Sequence, residues 1–116
     1  VSLEVSYQKT SVTLNQDKAG LMMGRSKACD LPINEQLASR QHVKIELRRD
    51  KFFVIDQSTN GTHIKINGAD ESFLRREEMH INANGQISLG KSFADNPTEV
   101  VSFTLKSNFV KILLNA

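Results

Sequence analysis

Apolar and polar residues alternate with a period of two along much of this chain. The alternation is clearest in "HVKIELRR", where Val43, Ile45 and Leu47 are separated by charged residues. Because successive side chains of a β-strand point to opposite faces of a sheet, this pattern predicts a strand with one buried face. The same rhythm predicts further strands in "LEVSY", "SVTL", "KFFVID", "THIKI", "QISLG" and "VVSFTL". Many short strands separated by Gly, Asn, Asp, Ser or Pro are typical of a β-sandwich or a barrel.

Two turns and one loop can be placed between these strands. The segment "RRDK" predicts a hairpin, and "INGA" contains Asn67 and Gly68, which tolerate the positive φ of a tight turn. The polar "FADNPTE" predicts a loop, with Pro97 where no ladder donor is needed. Only "EQLASRQ" and "LRREEM" are candidate helices, and both are too short and too poorly patterned to be stable alone. The sequence therefore predicts an all-β fold with little or no helix.

The length and composition fit one folded domain. A chain of 116 residues is near the commonest domain size, so we expect a single domain over residues 1–116. With 39% apolar and 24% charged residues, the chain can bury a core and lacks the composition of a disordered segment. The formal net charge of +2 is too small for a general binder of nucleic acid or acidic membranes, although basic residues could still be concentrated locally.

The cysteine count and the absence of long apolar runs bear on location. The lone Cys29 cannot form an internal disulfide, which favours a reducing compartment. No stretch approaches the roughly 20 apolar residues that a membrane helix needs, and the first residues show no signal-peptide pattern. We therefore expect a cytoplasmic location without membrane insertion. Because the chain begins at Val1, it is also compatible with a fragment of a longer protein.

Three short segments carry residues that suit the binding of an anion. "MMGRSK" contains Arg25, whose planar guanidinium matches phosphate or carboxylate. "SRQH" offers the Ser39 hydroxyl and backbone amides at a turn, while His42 could brace the loop through its ring nitrogens. "STNGT" adds Asn60, whose amide both donates and accepts, and Gly61 at a turn. Taken singly, each segment is equally compatible with an ordinary surface turn.

The order and spacing of the three segments are more specific than any one of them. With Gly24 directly before Arg25, and Thr62 directly after Gly61, they resemble the forkhead-associated (FHA) domain. The resemblance covers about residues 12–105. It implies an FHA/SMAD-like sandwich of about eleven short strands in two sheets, with a site on loops at one end. The implied function is recognition of phosphothreonine-containing protein segments.

The resemblance also implies which residues form the binding site. Arg25 and Ser39 match the residues that contact the phosphate in this family. Asn60 matches the asparagine that hydrogen-bonds the main chain of the bound peptide. Arg40 and Thr59 match positions at which polar side chains often join the peptide or phosphate contacts.

Three further positions have structural roles under the same resemblance. His42 matches a histidine that braces the loop, Gly24 a glycine that aims the arginine, and Gly61 a glycine that shapes the turn. The implied activity is binding without any bond made or broken, so neither a cofactor nor a metal is expected. The implied partner is a phosphothreonine-containing protein, which places a Ser/Thr kinase upstream.

A finer resemblance is carried by "LASRQHVKIELRRDKFFVIDQSTNGT", "FLRREEMHI" and "GQISLG". These segments are similar to the FHA segment attached to bacterial class III adenylate or guanylate cyclases. A cyclase domain would then lie outside this chain, which itself lacks paired metal-binding aspartates in a βαβ setting. We therefore expect a regulatory domain of a larger signalling protein and not an enzyme.

Five other functions have weaker support from the sequence. The first is an FHA-fold interaction or regulatory domain that does not depend on phosphothreonine. A hydrolase triad of Ser39, His42 and Asp56 would need an unusual geometry, because serine and histidine lie three residues apart and no "GxSxG" is present. A nucleotide site lacks both a P-loop and a glycine fingerprint. A metal site lacks ligand spacing among its candidates, which are Cys29, His42, His63 and His80.

Nucleic-acid binding is the remaining alternative. It would depend on five basic residues, Arg48, Arg49, Lys51, Arg75 and Arg76. They are not interleaved with aromatic residues on which bases could stack, so a solvated face is the better interpretation.

Overall fold

The computed structural model describes residues 1–106, whose regular structure is almost entirely β-strand. The eleven strands are β1 (Ser2–Tyr7), β2 (Thr10–Leu14), β3 (Gly20–Gly24), β4 (Leu31–Pro32), β5 (Val43–Arg48), β6 (Lys51–Asp56), β7 (Thr62–Ile66), β8 (Ser72–Leu74), β9 (Glu78–Ile81), β10 (Gly85–Leu89) and β11 (Val100–Lys106). Within residues 1–106 the only helical element is a 3₁₀ turn over Phe93–Asp95. The prediction of an all-β fold with little helix is confirmed.

The strands form two sheets. The six-stranded sheet has the order β2-β1-β11-β10-β7-β8, and the five-stranded sheet has the order β4-β3-β5-β6-β9. Strands β3 and β4 pair in parallel, whereas the other neighbours pair antiparallel. The two-sheet sandwich of about eleven short strands that the resemblance implied is therefore confirmed.

The core lies between the two sheets and follows the alternation in the sequence. Alternate residues of β1 and β6 are buried, as the period of two requires. Leu3 and Phe103 from the six-stranded sheet share one core with Ile45 and Phe52 from the five-stranded sheet. Each of these side chains is at most 2% exposed, and burying one contributes about 1.5 to 3 kcal/mol.

Both predicted turns are present. Arg49 and Asp50 connect β5 to β6 with φ values of 49° and 65°, the left-handed conformation of a two-residue type I′ hairpin. Asn67 and Gly68 follow β7 with φ values of 49° and 72°. The segment predicted as a loop before the last strand is a loop that contains the 3₁₀ turn.

The strand register brings six connecting segments to one end of the sandwich. Met23 at the end of β3 pairs with Val43 at the start of β5, and Val43 also pairs with Asp56 at the end of β6. In the other sheet, Thr62 at the start of β7 pairs with Leu89 at the end of β10. The connecting segments at this end are residues 8–9, 25–30, 33–42, 57–61, 75–77 and 90–99. A search of residues 1–106 finds no helix that is long and apolar enough to cross a membrane.

Candidate functional site

Gly24 ends β3 where the backbone of the β4–β5 loop, residues 33–42, lies directly against it. A Cβ on Gly24 would stand 2.1 Å from the carbonyl oxygen of Arg40 and 2.9 Å from the amide nitrogen of His42. Neither backbone atom can move without displacing the loop, so a larger residue does not fit. The close approach brings Arg25, the next residue, against the same loop.

Arg25 is exposed but fixed at its base. Its amide donates to the carbonyl of Ser39 over 2.9 Å, and its Nε donates to the carbonyl of Ala38 over 3.0 Å. Within residues 1–106, neither Nη group makes a hydrogen bond or an ion pair. The guanidinium is therefore oriented while its outer donors are still available to an anion.

The His42 ring joins the β4–β5 loop to the β6–β7 loop, residues 57–61. The ring is fully buried; its Nδ1 lies 2.9 Å from the amide of Ser39, and its Nε2 lies 2.7 Å from the carbonyl of Gly61. Because an amide only donates and a carbonyl only accepts, Nδ1 is the acceptor and Nε2 carries the proton. The neutral ring satisfies both partners, and it fixes the separation of the two loops.

Burial lowers the pKa of His42 below its ordinary value. The hydrogen bond to Gly61 and the carboxylate of Asp56, whose Oδ1 is 3.8 Å from Nε2, act in the opposite direction but are weaker. The ring therefore stays neutral near pH 7, where an unperturbed histidine begins to titrate.

We predict that stability decreases as the pH falls from 7 to 5. Since the folded pKa of His42 is lowered, the unfolded chain takes up a proton that the folded chain resists, and stability is lost below the unfolded pKa of about 6.5. The loss should approach about 1.4 kcal/mol per pH unit at most. Urea titrations at several pH values measure it, and His42→Phe should remove most of the slope. An unchanged slope in that variant would contradict the assignment.

Asp56 is a buried carboxylate that organises the β6–β7 loop. It accepts hydrogen bonds from the Ser58 hydroxyl at 2.6 Å, from the Thr62 hydroxyl at 2.6 Å and from the Arg76 amide at 2.9 Å. Burial by itself would raise the pKa of Asp56, but these hydrogen bonds outweigh it and lower the pKa. Ser58 is buried as well, and its Oγ accepts from the amide of Gly61 at 2.7 Å.

The two loops also contact each other through the predicted binding residues. Ser39 Oγ accepts from the amide of Thr59 at 3.1 Å. Asn60 Nδ2 donates to the carbonyl of Leu37 at 2.9 Å. Together with the Arg25 contacts above, these bonds bring Ser39, Thr59 and Asn60 to one surface. Arg40 follows Ser39, but its side chain makes no hydrogen bond or ion pair within residues 1–106.

Gly61, which the sequence places at a turn, has a positive φ. Its φ is 86°, and a Cβ there would stand 2.3 Å from Cε1 of Phe73. Its carbonyl accepts from His42 and from the amide of Gly90, which lies 2.9 Å away. The turn therefore needs glycine both for its conformation and for its packing.

The hydrolase-triad alternative is contradicted by this geometry. The His42 ring accepts from the backbone amide of Ser39 and not from its hydroxyl, whose Oγ faces Thr59. The ring nitrogen near Asp56 donates to a carbonyl at 2.7 Å, whereas the carboxylate oxygen is 3.8 Å away. His42 is therefore not positioned to activate the serine as a base.

Sequence reasoning did not assign roles to Ser58 and Thr62, which hold the loop through Asp56. A signal was available in "DQSTNGT". An aspartate at a strand end, with a serine two residues later, is a common way of closing a turn through the side chain.

The fold and the candidate site together define a class of protein. Its members are β-sandwiches that present an oriented arginine, a serine hydroxyl and an asparagine on adjoining loops at one end. A family model described as the FHA domain matches residues 21–90, which is more than half of the chain. The chain therefore belongs to the FHA domain family. A comparison with curated proteins gave no significant match.

Solved structures show the same fold. The N-terminal FHA domain of Rad53p from Saccharomyces cerevisiae, in complex with a phosphothreonine peptide, is 21% identical with a TM-score of 0.70; the alignment covers 97% of this chain and 99% of that one. An engineered FHA domain with a Myc-pTBD peptide is 19% identical with a TM-score of 0.73, covering 97% and 98%. FHA-1 of Rv1747 from Mycobacterium tuberculosis is 20% identical with a TM-score of 0.66, covering 91% and 97%.

Proposed function

We propose that this chain is a phosphopeptide-recognition module that binds phosphothreonine-containing protein segments. One observation carries the proposal. The neutral, buried ring of His42 joins two adjoining loops, and the guanidinium of Arg25 lies beside them with its Nη donors available to an anion. Membership of the FHA family, and the phosphothreonine peptide bound by the yeast domain, support it.

Each side chain at the surface has a chemical task in this proposal. The Arg25 Nη groups donate to phosphate oxygens in charge-assisted hydrogen bonds. Because Ser39 Oγ accepts from the amide of Thr59, its own proton is available for a phosphate oxygen. Asn60 already donates through Nδ2, so its Oδ1 can accept from a main-chain amide of the peptide. The Thr59 hydroxyl and the Arg40 side chain add contacts at the rim.

Calorimetry with matched peptides tests the proposal. The peptides carry phosphothreonine, phosphoserine, aspartate or plain threonine at one position. We expect heat of binding from the phosphothreonine peptide and none from the threonine or aspartate peptides, because neither supplies three phosphate oxygens. Absence of binding by the phosphothreonine peptide would remove the proposed function. Binding of all four peptides would favour the alternative interaction domain that does not depend on phosphate.

We also predict that the phosphothreonine peptide binds more tightly than the phosphoserine peptide, by about fourfold. The two differ by one methyl group, and burying a methyl contributes about 0.8 kcal/mol. The methyl would enter a pocket between the loop that carries Ser39 and the loop that carries Asn60. A nonspecific anion site would bind both peptides equally, and equal affinities would contradict a fitted site.

Several wider proposals follow the same interpretation. A phosphothreonine ligand implies a Ser/Thr kinase upstream, and the module needs no cofactor or metal. We propose a single domain over residues 1–116, acting as the regulatory part of a larger signalling protein, with a nucleotide cyclase as one candidate for the catalytic part. We also propose a cytoplasmic location without membrane insertion, which the lone Cys29 supports because it cannot form an internal disulfide.

Nucleic acid is not a proposed partner. Arg48, the first of the basic residues considered above, pairs with Glu46 at 2.8 Å and with Glu78 at 3.0 Å. It also lies over the ring of Phe53, with Cζ 5.0 Å from the ring centroid. A phosphate backbone would have to compete with these contacts. A titration with single-stranded DNA at rising salt concentration tests the point.

A further inference from the structure

A pocket of about 350 Å³ lies beside the proposed phosphate site. It opens between the β1–β2 turn and the loops on either side of β4, and its lining includes Tyr7, Arg25, Lys27, Ile33 and Asn34. Arg25 thus contributes both to this pocket and, through its bonds to the β4–β5 loop, to the site described above.

The neutral wall of the pocket is held in place by hydrogen bonds. The buried Tyr7 accepts from the amide of Asn34 at 3.0 Å and donates to the carboxylate of Glu99 at 2.6 Å. The buried Ile33 donates its amide to the carbonyl of Gly24 at 2.8 Å. The pocket is therefore attached to the end of β3 that positions Arg25.

The two charged side chains that line this pocket, Arg25 and Lys27, are both positive. Arg25 and Lys27 are both exposed, and neither forms an ion pair within residues 1–106. The carboxylates of Glu99 and Glu35 lie outside the lining of the pocket, where Glu99 accepts from the Tyr7 hydroxyl and Glu35 accepts from the amide of Leu37 at 2.9 Å. Two cations at one pocket repel each other, and an anion placed between them relieves that repulsion.

We propose that the pocket between Arg25 and Lys27 binds a second anionic group of the same phosphopeptide. The proposal rests on the proposed function, because Arg25 would touch both anions. The shared chemistry is a compact oxyanion, supplied by the carboxylate of an acidic residue or by a second phosphorylated residue. The preferred ligand is then a phosphothreonine segment with further negative charge nearby.

The geometry limits where the second group lies in the ligand. Arg25 and Lys27 are two residues apart, so their Cα atoms are at most about 7 Å from each other. An extended peptide rises by about 3.3 Å per residue. Allowing for the lengths of both side chains, the second anion should be within about four residues of the phosphothreonine.

The test is a peptide series titrated against matched variants. Every peptide carries one central phosphothreonine, and the reference peptide has neutral flanks. Each of the other peptides has, in addition, a glutamate or a second phosphothreonine at one of the four positions on either side. The variants are Lys27→Gln and Lys51→Gln. Lys51 is exposed at the start of β6, at the opposite end of that strand from the β6–β7 loop. Lys51→Gln therefore makes the same change in net charge as Lys27→Gln, but away from the pocket.

We expect one or two positions at which the second anion strengthens binding by about threefold to tenfold. The gain should disappear in Lys27→Gln and remain in Lys51→Gln, while the peptide with neutral flanks binds all three proteins alike. A gain from the second phosphate alone would identify double phosphorylation as the signal, whereas a gain from both would identify negative charge in general.

Three outcomes would overturn the proposal. They are the absence of any gain, a gain that survives in Lys27→Gln, and an equal reduction in both variants, which would show only an effect of net charge. Titration of the wild type with the singly phosphorylated peptide distinguishes failure of the second anion site from failure of the proposed function. If the wild type binds that peptide and gains nothing from a second anion, only the second site is wrong. If that peptide fails to bind, both proposals fall.

Discussion

Replacing Arg25 with alanine should weaken binding of a singly phosphorylated threonine peptide by about 10-fold to 150-fold. The substitution removes the Nη donors, and hydrogen bonds to charged groups are each worth about 1.5 to 3 kcal/mol. The fold should persist, because Arg25 is exposed and its backbone bond to Ser39 does not depend on the side chain. Calorimetry gives the affinity, and urea unfolding gives the stability of the same sample.

Two further variants sharpen this measurement. Arg25→Lys keeps the charge but loses the planar arrangement of donors and the Nε bond to Ala38, so its affinity should fall between those of wild type and Arg25→Ala. Arg49→Ala changes the net charge equally at the opposite end of the five-stranded sheet, in the turn after β5, and should bind as wild type does. Wild-type affinity in Arg25→Ala would mean that the phosphate site is elsewhere.

The sequence was sufficient for the strands that alternate. In β1, β5 and β6, one face is buried and the other is solvated, so the period of two is visible in the residues themselves. The two hairpin turns were also predictable. Their residues have φ values that few residue types adopt readily, and "NG" is a direct sign of that conformation.

Four strands could not be predicted from alternation. Strand β3, "GLMMG", is an apolar run between glycines, so no period distinguishes it from a buried segment of another kind. Strands β4, β8 and β9 contain two, three and four residues, which is too short for a period to be read. Strands β4, β8 and β9 form at edges of the two sheets, where the neighbouring strand offers unpaired backbone groups. Part of β9 lies in "LRREEM", which was a candidate helix.

The candidate site was predictable in its residues but not in its connections. Family resemblance pointed to Arg25, Ser39 and Asn60, and the structure places them on adjoining loops, although their roles in binding are still predictions. The full set of Asp56 partners could not be predicted, because Ser58 and Thr62 follow it within one segment but the Arg76 amide comes from the connection between β8 and β9, which meets Asp56 only in the folded chain. The same holds for the pocket beside Lys27, which depends on β1 reaching the end of β3.

Replacing His42 with alanine should lower the free energy of unfolding by about 2 to 5 kcal/mol. The change leaves a cavity in place of a fully buried ring, and it removes the acceptor of the Ser39 amide. The carbonyl of Gly61 keeps its second partner, the amide of Gly90, so the larger loss falls on the β4–β5 loop. Binding should weaken as well, since Ser39 would no longer be held beside Thr59. Urea unfolding measures the first effect and calorimetry the second.

His42→Phe separates the two causes of that loss. Phenylalanine refills much of the cavity but offers no polar atom, so it should recover part of the stability while the Ser39 amide still lacks its acceptor. His80→Ala is the matched control, because this histidine is exposed on β9 and its ring lies 5.4 Å from that of Phe53, centroid to centroid. That variant should stay within about 0.5 kcal/mol of wild type. Wild-type stability in His42→Phe would show that the ring acts through its volume, and the hydrogen-bonded bridge between the two loops would then explain neither the stability nor the binding.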